Sequence, residues 1–308
     1  MNNMLFSQNE KSKKQLIFTR INDLFRRIVE TKNRESFLKF LRFIKRFNNR
    51  SPFNNALIFA QNPNCFYWAT ETQWKKLGRS IKENARPMVV LYPFGPVEFV
   101  YNYEDTEGKP ITEERFLYWW KEDEKTARKL EIELVFNKTV EFLEKHHIKV
   151  KIPEKNNLKE YSFHDTALGV ASVDKENINR KQIYLHVKYS NNQEIVEAYG
   201  TLVHEIAHYF LGHLGSFIIK KEIKKDDKII VNEKRLCDNR SYVNKNIKEL
   251  EAELTAWIVF ALFNIEKNSE IYLASYLINQ EDFSNIDFSL VFKTGWTIRE
   301  IGVGNFKF

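Results

Sequence analysis

The chain contains 308 residues, which is enough for two compact domains or for one large one. Hydrophobic residues make up 43% and aromatic residues 14%, so a wholly disordered chain is excluded. The net charge is +7, no apolar run is long enough to cross a membrane, and the two distant cysteines, Cys65 and Cys237, predict a reduced cytoplasmic protein without a disulfide framework.

The excess positive charge is concentrated near the N-terminus. Residues 1–50 contain thirteen Lys and Arg against four Asp and Glu. Apolar residues recur at helical spacing over Phe18–Ile28 and again over Phe37–Phe47, which predicts two basic amphipathic helices. Such helices could track a phosphate backbone, and the alternative is an ordinary solvated face in a Lys-rich protein.

Short elements are predicted next, followed by a long charged connection. Ser51 and Pro52 predict the start of a helix whose apolar body is residues 54–60, because proline is favoured in the first helical turn. The remaining elements are a helix over Thr72–Leu77, strands over Met88–Tyr92 and Val97–Tyr101, a turn at Asp105–Gly108 and a charged helical connection over residues 113–147.

The second half alternates predicted strands and helices. Strands are predicted over Lys149–Ile152, Gly169–Val173 and Gln182–Val187. They precede an amphipathic helix, and a second helix is predicted around Lys248–Trp257. Residues 216–246 lie between the two helices and are polar and Lys-rich, which predicts an exposed loop or lid.

The first of these helices carries the motif H-E-x-x-H at His204, Glu205 and His208. Residues four apart share one face of a helix, so both imidazoles can reach one metal ion. Zinc favours histidine nitrogen, and Glu205 is the candidate general base. The motif therefore predicts a catalytic zinc site, with a purely structural histidine pair as the alternative.

A third ligand must come from elsewhere in the chain. His213 is nine residues after His204, one short of the H-E-x-x-H-x-x-G-x-x-H spacing, so that class is disfavoured. Glu249 and Glu253 on the second helix share a face and resemble the acid pair of Glu-zincin enzymes. We assign Glu249 as the ligand and Glu253 as the acid that orients a ligand histidine, although the two roles could be exchanged. Glu251 is rotated by about 200° from Glu249, which predicts a solvated position.

Two further features would serve peptide hydrolysis. An edge strand, with Gln182–Val187 as the candidate, could hold a substrate backbone by β-addition. His186 and Tyr209 are candidate donors to the oxyanion, and structural roles are the alternative for both.

Motifs in both halves resemble the ArdC-type proteins of plasmids and phages and their ImmA/IrrE-like metallopeptidase relatives. In the N-terminal half they are Ser51–Ile58, Gln61–Pro63, Ala69-Thr70 with Trp74, Gly78–Lys82, Arg86-Pro87, Pro93–Val100 and Asp105–Gly108. In the C-terminal half they are Gly200–His208, Gly212-His213, Glu249–Glu253 and Tyr272–Leu277. Residues 1–50 and the segment after Gly215 match least well.

This resemblance implies an α+β fold class with two domains. An ArdC-like α/β domain, residues 1–125, would bind single-stranded DNA, and a mostly helical zincin-like metallopeptidase domain with a small sheet, residues 126–308, would hold Zn²⁺. The implied zinc ligands are His204, His208 and Glu249, with Glu253 as the alternative. The implied DNA contacts are Arg79, Lys82, Arg86, Phe66, Tyr67, Trp68 and Trp74. Core packing is the alternative for the two tryptophans.

The combined hypothesis is a zinc metallopeptidase-like protein of a mobile genetic element. It would counter host restriction or cleave a regulatory protein, so its partners would be a host or mobile-element protein and single-stranded DNA, without a membrane. The alternative is a non-hydrolytic DNA-binding antirestriction protein with a structural or vestigial zinc site. A general nucleic-acid-binding protein without a role in restriction is a third possibility.

Overall fold

The computed structural model describes residues 34–91, 97–112, 132–146, 148–151, 169–173, 181–185, 192–225, 228–265 and 285–306. The chain packs as two compact units, Met1–Lys129 and Leu130–Phe308. The predicted helix at Phe18–Ile28 and the predicted boundary after residue 125 lie outside the described residues. Within the described part of the chain, no helix is both long enough and apolar enough to span a membrane.

The N-terminal unit combines short helices with small antiparallel sheets. Its elements are α1 (Arg34–Arg46), α2 (Pro52–Gln61), β1 (Trp68–Ala69), α3 (Glu71–Lys76), β2 (Arg79–Ile81), β3 (Met88–Leu91), β4 (Val97–Asn102) and β5 (Thr106–Gly108). Strand β4 is the centre of the order β1-β4-β3, and β2 pairs with β5. The turn predicted at Asp105–Gly108 is wrong, because Thr106–Gly108 extend and pair with β2.

The predicted helix at Phe37–Phe47 is confirmed as α1, and its apolar stripe is buried. Phe37, Leu41, Ile44 and Phe47 are each at most 1% exposed, because their helical spacing places them on one side. The basic Lys39, Arg42 and Arg46 are exposed on the other side.

The outer edge of β3 is covered by two amide side chains of α2. Asn54 exchanges a pair of hydrogen bonds with the backbone of Leu91, both at 3.0 Å. Gln61 makes the same pair with Val89, at 2.9 and 2.8 Å. Residues seven apart on a helix share a face, and residues two apart share one edge of a strand. This match satisfies backbone groups that could otherwise pair with another chain.

The C-terminal unit places helices beside a small mixed sheet. Its elements are α4 (Ile132–Lys145), β6 (Ile148–Lys151), β7 (Gly169–Val173), β8 (Lys181–Leu185), α5 (Asn192–Phe210), β9 (Phe217–Lys225), β10 (Lys228–Cys237), α6 (Lys245–Leu262) and α7 (Phe288–Val303). Strand β8 lies between β6, to which it is parallel, and β7, to which it is antiparallel. The prediction of an edge strand at Gln182–Val187 is therefore wrong, because both sides of β8 are already paired.

The Lys-rich segment between the two motif helices is a β-hairpin, so the prediction of an exposed loop or lid over residues 216–246 is wrong. Strands β9 and β10 pair in antiparallel register from Phe217 opposite Cys237 to Lys225 opposite Lys228. At the base of the hairpin, Phe217 and Ile219 are each 1% exposed. They are two residues apart, so both face the core, and this period-two pattern is typical of a strand.

The core of the C-terminal unit lies where α5, α6, α7 and α4 pack together. Gly200 allows α5 and α6 to approach closely, since a Cβ there would lie 3.3 Å from the ring of Phe260. The helix faces bury Leu202, Val203, Ile206, Phe210, Ala256, Val259, Ile298 and Ile301. This packing fixes the histidines of α5 opposite the acids of α6.

Candidate metal centre

The three residues of the H-E-x-x-H motif lie in the last two turns of α5, which ends at Phe210. The Nε2 atoms of His204 and His208 are 3.4 Å apart, so the two imidazoles converge as the motif predicts. The apolar side of the same helix is anchored by Val203 and Ile206, which are at most 1% exposed. Core packing therefore sets the direction of both histidines.

Glu249, in the second turn of α6, completes a triangle of ligand atoms. Its Oε2 lies 3.4 Å from Nε2 of His204 and 3.8 Å from Nε2 of His208. One ligand atom from each of these residues lies within 4.8 Å of the other two. Three atoms bound to a tetrahedral zinc ion at about 2.0–2.1 Å lie about 3.4 Å from one another. The donor set and its spacing thus fit zinc.

Glu253 lies one turn further along α6 and contacts the far side of His204. Its Oε2 is 3.3 Å from Nδ1 of His204. A carboxylate can only accept here, so His204 carries a proton on Nδ1, and Nε2 is the atom that faces the triangle of candidate ligand atoms. Glu249 therefore lies in that triangle and Glu253 lies behind His204, and an exchange of the two positions would require both side chains to move.

Glu251 is fully buried, so the prediction of a solvated position is wrong. Its side chain is 0% exposed and lies 2.8 Å from Nε2 of His213. Arg240 donates two hydrogen bonds to the carboxylate, at 2.8 and 2.7 Å. The rotation away from Glu249 is real, but that side of α6 faces the protein interior. The charge is tolerated because donors surround it.

Gly212 positions His213 beneath the motif. Helix α5 ends at Phe210, and Gly212 adopts a φ of 75°, in the left-handed region that glycine adopts readily. A Cβ at this position would lie 2.0 Å from the carbonyl oxygen of Asp238. The tight reversal brings the backbone nitrogen of His213 within 2.9 Å of the carbonyl oxygen of His208. The imidazole of His213 then lies next to that of His208.

The two sides of the site differ in their access to solvent. The side chain of Glu249 is 47% exposed, whereas that of His208 is 11% exposed. Glu205 is 8% exposed, and its charge acts on His204. The Glu249 side of the site is therefore open to solvent, and Glu205 is buried.

In the metal-free site, two neighbouring carboxylates give His204 a much higher pKa than His208. Burial lowers the pKa of His204, but hydrogen bonds to Glu249 and Glu253 outweigh burial and raise this pKa to about 9. For His208, burial and the neighbouring His204 and His213 lower the pKa to about 3. The hydrogen bond to His204 also lowers the pKa of the Glu249 carboxyl. At neutral pH His204 is thus protonated and His208 is neutral.

Zinc binding at pH 7 should release about one proton from His204. Its pKa of about 9 lies above the ordinary 6.5, so the proton must leave before Nε2 can coordinate. The apparent affinity should rise about tenfold per pH unit until pH approaches 9 and then level off. In the metal-free protein the same shift stabilises the fold below pH 6.5, and this stabilisation is lost towards pH 9.

Calorimetric titration with zinc in buffers of different ionisation enthalpy measures this proton count directly. A count near zero at pH 7, or an affinity that does not vary between pH 6 and 8, would contradict the protonated state of His204.

Of the two predicted oxyanion donors, Tyr209 lies within the described residues and His186 does not. Tyr209 is 1% exposed, and its ring packs 6.3 Å from that of Phe217 in the core. That burial explains why the prediction for Tyr209 is wrong.

Four of the predicted DNA contacts are buried in the N-terminal unit. Tyr67 is 5% exposed, Trp68 4% and Trp74 0%, so core packing describes all three aromatic side chains. Arg79 is 7% exposed, and its guanidinium group donates to Thr106 and to the carbonyl oxygens of Gly108 and Lys109. These hydrogen bonds join β2 to β5 and occupy the donors that would otherwise bind a phosphate. The predicted roles of these four residues in DNA binding are therefore wrong.

Other predicted contacts remain at the surface. Lys82 and Arg86 are exposed, and Phe66 is 44% exposed. The guanidinium carbon of Arg46 lies 4.3 Å from the centre of the Phe66 ring, which places a cation over an accessible aromatic face. Arg46 belongs to the basic side of the predicted helix that could track a phosphate backbone, but the sequence pattern did not predict its contact with Phe66.

Comparison with known proteins connects the N-terminal part of the chain to one family. Residues 14–142 match the sequence model of the N-terminal domain of the anti-restriction factor ArdC. The chain is also similar to a crystal structure of the antirestriction protein ArdC from plasmid R388 in a Mn(II)-bound form. The identity is 14%, the coverage is 86% of this chain and 97% of that chain, and the TM-score is 0.34. Comparison with curated proteins gives no significant match.

The family match confirms the resemblance to ArdC for the N-terminal part of the chain. It ends at residue 142, ahead of α5 and α6, so it does not include the H-E-x-x-H motif or the acids of α6. The chemistry of the C-terminal unit is therefore inferred from the geometry of its own residues.

Proposed function

We propose that this chain is a zinc-dependent metallopeptidase-like protein of a mobile genetic element that counters host restriction or cleaves a regulatory protein. One observation supports this most strongly. His204, His208 and Glu249 place two nitrogens and one oxygen at separations of 3.4, 3.4 and 3.8 Å beside the acid Glu205. A site kept only for structure has no need of that acid. The similarity of residues 14–142 to ArdC supports the antirestriction setting.

In peptide hydrolysis, Glu205 and the three candidate zinc ligands would have different roles. A bound zinc ion would supply Lewis acidity and make water acidic enough to lose a proton near neutral pH. Glu205 accepts that proton as the general base and then returns it to the leaving amine as the general acid. His204, His208 and Glu249 would hold the ion, and the exposed side of the site at Glu249 is where a polypeptide substrate would approach. Replacing Glu205 with glutamine tests this proposal, because cleavage should be lost while the metal is retained.

A second proposal is that the N-terminal unit binds single-stranded DNA. The supporting observation is an exposed aromatic ring beneath a cation, formed by Phe66 and Arg46, in the part of the chain that matches ArdC. Rings stack on bases while cations follow the backbone, and both are needed for binding single strands without sequence preference. Lys82 and Arg86 would add phosphate contacts at the surface.

Replacing both Lys82 and Arg86 with glutamine should weaken binding to a single-stranded oligonucleotide. Each lost phosphate contact should reduce the slope of log affinity against log salt by about 0.7, so the double variant should lose about 1.4. Fluorescence anisotropy over a range of salt concentrations measures both quantities. The matched control replaces the exposed Lys145 and Lys149 of the C-terminal unit with glutamine, which removes the same charge. Equal effects of the two double variants would contradict these contacts.

A further inference from the structure

A buried series of hydrogen bonds leads from His208 away from the metal centre. Nδ1 of His208 lies 3.0 Å from Nδ1 of His213, and Nε2 of His213 lies 2.8 Å from Oε2 of Glu251. The side chains of His213 and Glu251 are both 0% exposed. The series ends at Arg240, whose guanidinium group makes two hydrogen bonds to the same carboxylate. The middle of the series is therefore protected from water, whereas the Arg240 side chain at its end is 13% exposed.

The direction of these hydrogen bonds is set at Glu251. Arg240 donates to both carboxylate oxygens, and the backbone nitrogen of Asp287 donates to Oε1 at 2.8 Å. Neither a guanidinium group nor a backbone amide can accept a hydrogen bond. The carboxylate of Glu251 therefore accepts these three hydrogen bonds. It also accepts in its contact with His213, so Nε2 of the imidazole must carry the proton in that hydrogen bond.

That donation determines where the remaining protons lie. Two nitrogens 3.0 Å apart share one proton, so only one of the two Nδ1 atoms of His208 and His213 carries it. His213 already uses the proton on Nε2, so its Nδ1 accepts and Nδ1 of His208 donates. His208 is then left with a lone pair on Nε2, which is the atom 3.8 Å from Oε2 of Glu249.

We propose that His213 and Glu251 are positioning residues that fix the tautomer and the ring orientation of His208, so that its Nε2 is permanently presented as a metal ligand. This inference rests on the proposed metal centre and deepens it. A carboxylate behind a metal-binding histidine is a general device for orienting the ligand. Here a second histidine lies between the carboxylate and the ligand, and Arg240 holds the carboxylate in turn.

The two ligand histidines are supported in different ways. Glu253 contacts His204 directly at 3.3 Å, and its side chain is 17% exposed. The support of His208 passes through His213 and is fully buried. Water can replace a lost partner on the exposed side of the site, but it cannot readily do so in the buried series. The ligand geometry of His208 should therefore be the more sensitive to substitution of its partner.

Two substitutions at His213 separate hydrogen bonding from packing. Phenylalanine approximates the size and shape of the imidazole but cannot accept from His208. Asparagine is smaller but offers an amide oxygen near the position of Nδ1. Zinc affinity, measured by competition with a chelator, should fall about 10–100-fold in His213→Phe and clearly less in His213→Asn. A role in packing alone predicts the opposite order, and that order or unchanged affinity in both variants would overturn the inference.

A second measurement does not depend on variants or on metal. Long-range proton–nitrogen NMR of the metal-free wild-type protein should show His208 protonated on Nδ1 and His213 protonated on Nε2. The reverse tautomers would overturn the inference even if His213→Phe fails to fold. Failure of the wild-type protein to bind zinc would instead overturn the proposed function, and the tautomers would still report on the positioning series separately.

Discussion

Replacing Glu205 with glutamine should abolish peptide cleavage while leaving zinc bound. Glutamine has nearly the same shape as glutamate but cannot take a proton, and loss of a general base typically reduces the rate by about 10²–10⁴-fold. The ligand atoms of His204, His208 and Glu249 do not include Glu205, so the metal content should not change. Proteomic comparison of cells that express the two proteins, by enrichment of new protein N-termini, would detect the lost cleavage.

The matched control for this substitution is Glu197→Gln on the same helix. Glu197 is exposed and lies two turns before the motif, so its replacement should preserve both metal and cleavage. If the antirestriction effect survives intact in Glu205→Gln, then peptide cleavage does not produce that effect. The second proposal, DNA binding by the N-terminal unit, would then be the better account.

Replacing Glu249 should reduce zinc affinity much more than replacing Glu253. Glu249 is the carboxylate 3.4 Å from Nε2 of His204, whereas Glu253 contacts only Nδ1 of that ring. We expect Glu249→Gln to lower the affinity by more than about 100-fold, beyond the range typical of residues that only orient a ligand. Glu253→Gln keeps an amide oxygen that can accept from His204, so its loss should be about tenfold or less.

Chelator competition at fixed pH measures both affinities, and Glu197→Gln again serves as the control for loss of one acidic charge from the unit. A larger loss for Glu253→Gln would mean that the two acids have exchanged roles. Similar losses for both variants would contradict a site in which one acid binds the metal and the other only orients a histidine.

The sequence predicted the centre of the site because its information is local. His204 and His208 are four residues apart on an amphipathic helix, and helical geometry alone makes their side chains converge. The spacing of Glu249 and Glu253 likewise places them on one face of α6. Neither inference required knowledge of how distant segments pack.

The positioning series behind His208 could not be predicted, because distant segments supply its parts. Arg240 follows the β9–β10 hairpin, and the backbone amide of Asp287 precedes α7. Helical rotation showed correctly that Glu251 points away from Glu249. It could not show that this direction leads into the protein, because almost every residue of α6 from Leu250 onward is buried, whatever its position around the helix. Only the packed structure reveals which direction is interior.

The errors over the predicted DNA contacts have a similar cause. Arg79, Trp68 and Trp74 are residue types that nucleic-acid-binding surfaces use, and the same types also hold small domains together. Trp74 donates its indole N–H to the carbonyl oxygen of Tyr101 at 3.0 Å, as buried tryptophans usually do with a nearby acceptor. Residue type alone does not separate these two uses, whereas burial does.

The hairpin between the motif helices illustrates how composition can mislead. Its many lysines predicted a solvated loop, but Phe217 and Ile219 are buried at its base, with the half-buried Ile218 between them. A strand needs only every second residue to face the core. The mean polarity of a segment therefore does not exclude a strand that is anchored in the core by a few apolar residues.

Elemental analysis of the natively purified full-length protein tests the central claim most directly. Inductively coupled plasma mass spectrometry should find close to one zinc ion per chain, and the metal should be lost in a His204→Ala, His208→Ala double variant that remains folded. Absence of a stoichiometric divalent metal from the wild-type protein, or its retention in the double variant, would contradict a metal centre built on His204, His208 and Glu249.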